Sequence, residues 1–333
     1  MFDRPLRRPH LVIRSSLAIG GVLLLLVVLL MPAAAAATGP AASAPQCSVG
    51  SPGASSANGI AYDPSNQLMY VSDADLQTIA VVSATCTVVA TIHTPSSSNG
   101  PSSVVFDPSN NLVYVSAFLA DEVYYISNQT QLGTVHGTFN DPTGLAYDPS
   151  DREVWVTDDG SHNASLIQNT SVVGTVDVGN CPWGVAYSPY KNSMVVANYC
   201  IDKATVIGAS SDRITSRIRV GTNPVAIAYD PNDHHTYVTN SGSDNVSVID
   251  PNGSVITTIH VGHEPWGAAY DLTTHEIFVT NGMSNSISVL SSKSVVQILH
   301  TPTNSGPLAV AWSGVNGKMY VVGLYSGTVY VEH

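Results

Sequence analysis

Positive charge is what this chain has least of: 12 Lys and Arg stand against 24 Asp and Glu in 333 residues. Four of those cations, Arg4, Arg7, Arg8 and Arg14, fall near the start together with one acid, Asp3. Without residues 1–37, eight cations and 23 acids remain, and the formal charge moves from -12 to -15. Binding to nucleic acid rests on Lys and Arg neutralising phosphates, so this balance excludes it as a partner. Charge of either sign is sparse, at 11% of residues, and Ser, Thr, Asn and Gly carry the solubility instead. Several kinds of chemistry are missing too. No cysteine spacing resembles a zinc motif, and neither a phosphate-cradling Gly loop nor a Ser-His-Asp grouping stands out among so many Gly and Ser.

Residues 1–37 read as an export signal or an uncleaved anchor. A basic start is followed by the apolar run 17–31 and by Pro32 with a series of alanines that offers cleavage sites. The apolar stretch with its alanines just reaches the length of about 20 residues that a membrane span needs. Cleavage is the favoured expectation, and an anchor is the sole route to a membrane. Either way the rest of the chain lies outside the cytoplasm. Residues 38–45 read as a flexible lead-in.

From there a period takes over. An apolar segment ends in Tyr62, Phe106, Tyr147, Tyr187, Tyr229, Tyr270 and Trp312, at intervals of 44, 41, 40, 42, 41 and 42. Eight residues after each comes a second apolar segment, at Tyr70, Tyr114, Trp155, Val195, Tyr237, Phe278 and Tyr320. So constant a separation fixes a hairpin, and turns such as Asp63-Pro64-Ser65-Asn66 supply its chemistry. A third and a fourth segment follow, as in Asn245–Ile249 and Val255–Ile259. A period near 42 without helical patterning predicts an array of small β units. The fold expected is therefore all-β: a seven-bladed β-propeller of four-stranded antiparallel blades over residues 46–333. The last unit stops after three strands. Gln46-Cys47-Ser48-Val49-Gly50 is expected to supply the fourth and close the ring, which hides the sheet edges.

Four cysteines in an exported chain predict two disulfides. Cys181 and Cys200 fall in two loops that share one face of a blade, and Cys47 with Cys86 follows by elimination. Sequons at Asn128, Asn163, Asn169, Asn245 and Asn252 are candidate glycan acceptors.

Tyr237-Val238-Thr239-Asn240 is the signature of the YVTN-repeat propellers, and Phe278-Val279-Thr280-Asn281 and Trp155-Val156-Thr157-Asp158 are near copies. A Pro five residues before the aromatic, as at Pro142 and Pro265, also matches; the first unit departs with Ala57. The chain thus resembles archaeal surface-layer and bacterial exported propellers of that type. The resemblance implies the fold and an envelope or secreted setting, and names no activity. Pro142-Thr143-Gly144-Leu145-Ala146-Tyr147 is also similar to repeats of streptogramin lyases and sugar lactonases, which use a divalent ion. The lyases resembled carry a Glu and a His three residues apart, and no Glu-x-x-His occurs here.

Candidate site residues lie in the loops expected at the channel mouth: Asp158, Asp159, His162, Trp183, Asn198, Asn240, His263, Glu264, Trp266 and Asn281. Each has a plainer reading. Asp158, Asn198, Asn240 and Asn281 end second strands and would cap turns. Trp183 and Trp266 hold a repeated position and would pack between blades rather than stack on a sugar or peptide. His93, His136, His260 and His300 recur in fourth strands, far apart around the rim, so they share no metal. His263-Glu264 and His275-Glu276 fall on opposite faces. No catalytic or metal-ligating set emerges and no cofactor is called for, although paired acids such as Asp158 with Asp159 leave room for Ca²⁺ or Mg²⁺. The favoured function is a non-catalytic extracytoplasmic scaffold, secreted or at the cell surface, that binds an envelope protein, peptide or glycan through variable loops. The alternative is an exported metal-dependent lactonase- or lyase-like enzyme.

Overall fold

A computed structural model describes residues 46–50, 56–95 and 100–332. The signal or anchor at 1–37 and the lead-in at 38–45 lie outside the described residues. The described residues form seven four-stranded antiparallel sheets. Blade 1 begins at Ala57, and blades 2 to 7 begin at Pro101, Pro142, Pro182, Pro224, Pro265 and Pro307. Within each blade the strands run in chain order, except in blade 7. There Gln46–Ser48 pairs with Thr328–Glu332, Cys47 opposite Val329, and supplies the fourth strand from the N-terminal side as expected.

Alternation along the strands builds the ring. In the second strand of blade 3, Val154 and Val156 join Tyr114 and Val123 of blade 2, whereas Trp155 joins Met194 and Ile207 of blade 4. Side chains of a strand point alternately to its two faces, so one strand serves two seams. Seven such apolar clusters lie at the seven seams, and one of them, with Met69, Val71, Tyr320 and Val322, joins blade 7 to blade 1. Each fully buried Val, Leu or Ile contributes roughly 1.5–3 kcal/mol. Fourth strands face water on one side: Arg213–Arg219 alternates exposed with covered residues along its length. In blade 2 the fourth strand ends at Thr134, so His136 lies beyond it, unlike His93, His260 and His300, which end theirs. The cause is a switch of partner: the His136 N–H donates to Thr170 O and its carbonyl accepts from Val172 N, both in blade 3.

Hairpin turns between first and second strands close on a buried carboxylate. Oδ1 of Asp63, Asp107, Asp148 and Asp230 each accepts the N–H two residues on, at 2.8 Å. Asp271 does the same with Thr273 at 2.7 Å. Both expected disulfides are present, Cys47–Cys86 joining blade 7 to blade 1 and Cys181–Cys200 within blade 4. They fit an oxidising, extracytoplasmic compartment. Of the sequon residues, Asn128, Asn169 and Asn252 are exposed in turns, Asn163 is half-buried, and Asn245 is buried and bonded to Asn240.

Candidate functional site at the channel mouth

The face formed by strand-2-to-3 loops and blade-to-blade loops is built on one repeated irregularity. At the start of each first strand the pairing skips: between the leading Pro and the fourth residue in blades 2 to 6, as between Pro142 and Leu145, and between Ala57 and Gly59 or Pro307 and Ala309 in blades 1 and 7. Two residues there oppose one, a β-bulge that frees a backbone N–H. The repeat answers with a hydroxyl. Thr157 Oγ1 accepts from Gly144 N at 2.8 Å and donates across the seam to Trp183 O at 2.6 Å. Ser72, Ser116, Thr239 and Thr280 repeat this latch toward Ser102, Thr143, Trp266 and Leu308. The third position of the signature therefore holds the innermost strands in a ring. Blades 4 and 7 carry Ala197 and Val322 there; the loops of blade 4 hold the Cys181–Cys200 disulfide, and the closing strand of blade 7 carries Cys47. Close approach also demands a small residue at the bulge: a Cβ at Gly144 would stand 2.3 Å from Trp183 O.

The fourth signature residue is buried. Asp158, Asn198, Asn240 and Asn281 are at most 1% exposed. Asn198 Nδ2 donates to Val178 O and Asn180 O, and its Oδ1 accepts from Thr205. Asn240 reaches Asn245 and Ser247, and Asn281 reaches Ser286 and Ser288. Asp158 accepts from Ser165 Oγ at 2.6 Å, and burial raises its carboxyl to about 6 against the hydrogen bonds from Ser165 and Asn140. All four side chains tie their own loops together.

A second repeated device clasps one blade to the next. Asp121, Asp202, Asp244 and Asn285, at the ends of their loops, accept the N–H of Asp141, Asn223, Glu264 and Gly306. In blade 3 the role falls to His162, whose Nδ1 accepts from Cys181 N at 3.3 Å. Asp159, half-buried, donates its N–H to Asp141 O. His263 is exposed and meets Asp244 Oδ2 at 2.8 Å. Its neighbour Glu264 raises the Tyr325 phenol, after burial of that ring.

The tryptophans do not pack between neighbouring blades. Trp183 of blade 4 and Trp266 of blade 6 stand 6.3 Å apart, centroid to centroid. Phe118 of blade 2 lies 6.4 Å from Trp183, and Tyr199, in the next loop of blade 4, lies 5.8 Å from it. Blades 2, 4 and 6 are not neighbours, and the innermost strands border the central channel. The rings therefore meet over the axis, with Trp183 at the centre of the group. Their tilts of 37–54° suit aromatic contact. Sequence reasoning missed this because the repeat fixes where along the strand each tryptophan sits and not what it meets across the ring; the seams are filled by other large side chains, Trp155, Tyr237 and Phe278 among them. Gly282 makes room for Trp266, since a Cβ there would lie 3.0 Å from the indole. Phe118 and Tyr199 were also missed. The signal was present: both directly follow the signature tetrad, where other blades have Ala74, Asp159, Ser241, Gly282 or Leu324.

Of the ten candidates, the structure brings Trp183 and Trp266 together with Phe118 and Tyr199. His162 sits by the Cys181–Cys200 disulfide, and the Glu264 carbonyl accepts from Gly282 N, the residue that makes room for Trp266. Two clefts lie along the seam of blades 4 and 5: one of about 330 Å³ reaches the turn face at Tyr190 and Asn252, and one of about 360 Å³ opens on the mouth face between Thr222 and Ser243, lined by none of the four rings. Among the described residues no three His, Cys, Asp or Glu side chains converge as metal ligands would.

Residues 139–168, the start of blade 3, match the NHL repeat family model. No curated protein matches the chain in sequence. Among solved structures, virginiamycin B lyase from Staphylococcus aureus aligns at a TM-score of 0.75 and 13% identity, over 86% of this chain and 97% of its own. A catalytically inactive form of it with quinupristin aligns at 0.73 and 13%, over 84% and 95%. Hydrazine synthase of Kuenenia stuttgartiensis aligns at 0.72 and 16%, over 85% and 96%. At such identities the likeness is one of fold: the chain is a seven-bladed β-propeller similar to NHL-repeat and virginiamycin B lyase propellers.

Proposed function

We propose that this protein is a non-catalytic, extracytoplasmic binding scaffold of the YVTN-repeat type, secreted or held at the cell surface, that receives an envelope protein, peptide or glycan at its channel mouth. The observation that carries this reading is the meeting of Trp183 and Trp266 with Phe118 and Tyr199 over the axis. Half-buried aromatic rings on rigid strands offer large contact area at small entropic cost. Latches, clasps and the Cys181–Cys200 disulfide hold the segments that carry these rings, so the surface is preorganised. The basic start and apolar run of residues 1–37 support export.

The test compares the full chain with a Trp183→Ala/Trp266→Ala variant for retention on isolated cell-envelope fractions. Retention lost in the variant supports the reading, and equal retention removes the mouth as the site. The metal-dependent alternative is tested by melting the EDTA-treated chain with Ca²⁺, Mg²⁺ or Zn²⁺. A ligand at about 100 times its Kd stabilises the folded state by about 2.7 kcal/mol, so a saturable shift with one ion would favour an enzyme instead.

A further inference from the structure

Charge is distributed unevenly about the aromatic group. The loops and strand ends of the mouth face carry 11 Asp and Glu, with Lys203 and Arg219 as their only Lys or Arg. Several of these acids accept backbone N–H groups, as Asp121, Asp202 and Asp244 do. Such a bond occupies a lone pair and leaves the negative charge in place. Asp121, Asp159, Asp202, Asp244 and Glu264 belong to five successive blades, from 2 to 6, so the acids form an arc around the rings. His263 is the exposed histidine against Asp244.

We infer that the mouth recognises a cationic peptide segment, rich in Arg or Lys and carrying apolar or aromatic side chains; this rests on the scaffold reading above. Complementary potential draws such a segment in. Its guanidinium or ammonium groups find aromatic faces at Trp183 and Trp266, where a cation is attracted to the ring quadrupole. An arc of acids over five blades suits a ligand with several spaced positive charges rather than a single amine. A neutral glycan would stack on the same rings and meet the carboxylates only as hydrogen-bond acceptors, without charge attraction and without the salt dependence that goes with it. Glu264, two residues before Trp266 in the chain and bonded through its carbonyl to Gly282 N, brings charge to the same rim as Trp266.

The test is calorimetric titration of the full chain with three probes: a hexapeptide of alternating Arg and Phe, its Glu-and-Phe counterpart, and chitohexaose. The expected result is saturable binding of the Arg-Phe peptide alone, weakening steadily as NaCl is raised, because exposed charge pairs are screened. Trp183→Ala is expected to weaken it about tenfold. Asp159→Asn with Glu264→Gln is expected to weaken it about threefold and to flatten the salt dependence. Should Trp183→Ala fail to fold, Trp266→Leu and the charge variant serve in its place. Chitohexaose binding that depends on Trp183, without peptide binding, overturns the cationic inference and leaves the mouth as a binding site. Peptide binding untouched by every substitution overturns both. Equal binding of the Glu-Phe and Arg-Phe peptides also overturns the inference, since the acids would then play no part.

Discussion

The two faces of the ring use the same residue types to opposite ends. On the turn face, Asp63, Asp107, Asp148, Asp230 and Asp271 are at most 9% exposed and spend Oδ1 on the hairpins they close. Asp233, also on that face, is held below the ordinary carboxylate range: its bonds to His235 and Lys293 outweigh a burial effect that acts the other way. On the mouth face, acids clasp blade to blade through backbone N–H groups and keep their charge at the rim, around four aromatic rings. Repetition produces both patterns. What separates them is that each hairpin carboxylate is satisfied within its own turn, whereas the ring group at the mouth is completed by blades that are not neighbours.

Breaking the turn face is expected to cost stability alone. Asp271→Ala removes the buried carboxylate that accepts from the N–H groups of Thr273 and Thr274 and from the Thr274 hydroxyl, and about 3 kcal/mol should be lost in denaturant unfolding. Binding at the mouth should be unchanged. Replacing Cys181 and Cys200 together with Ser is expected to cost about 3 kcal/mol as well, from loop-closure entropy. Here binding should weaken too, because the disulfide holds the segments bearing Trp183 and Tyr199. The same replacement of Cys47 and Cys86 should lower stability and spare binding.

A smaller effect, of opposite sign, is expected at Asp158. Its carboxyl is held up at about 6 against an ordinary 3.8, chiefly by burial, so the folded state binds this proton more tightly than the unfolded state. That contribution is complete below about pH 4 and is lost as pH rises through 6. Asp158→Asn, which installs the residue found in blades 4, 5 and 6, should therefore stabilise the ring by about 2 kcal/mol at pH 8 and by nothing at pH 4. Melting curves at the two pH values check it. Smallest of all, Glu264→Gln should bring the Tyr325 phenol back toward 10, seen by ultraviolet pH titration, with little change in stability.

The fold was legible because it is periodic. The eight-residue hairpin spacing, the turn acids and the missing last strand each point to one closed ring, and the pairing of Cys47 with Val329 bears out the closure. The Cys181–Cys200 pair followed from two loops sharing a face, and Cys47–Cys86 by elimination. The mouth was legible only in part. Position along the repeat named Trp183 and Trp266 but not what their rings meet across the ring of blades. Contact between blades 4 and 6 leaves no mark in local spacing, and Phe118 and Tyr199 are meaningful only once that contact is known. The signature Asn and Asp residues stood out by repetition, and repetition there serves the loops they tie.

The most direct test is circular dichroism of the full chain beside Trp183→Phe, Trp266→Phe and the double variant. Indoles 6.3 Å apart couple their transitions. Each single substitution should then remove the same exciton band, and the double should remove no more of it. Two independent, additive difference spectra would mean that the indoles do not meet over the axis, and the aromatic mouth would fall with them.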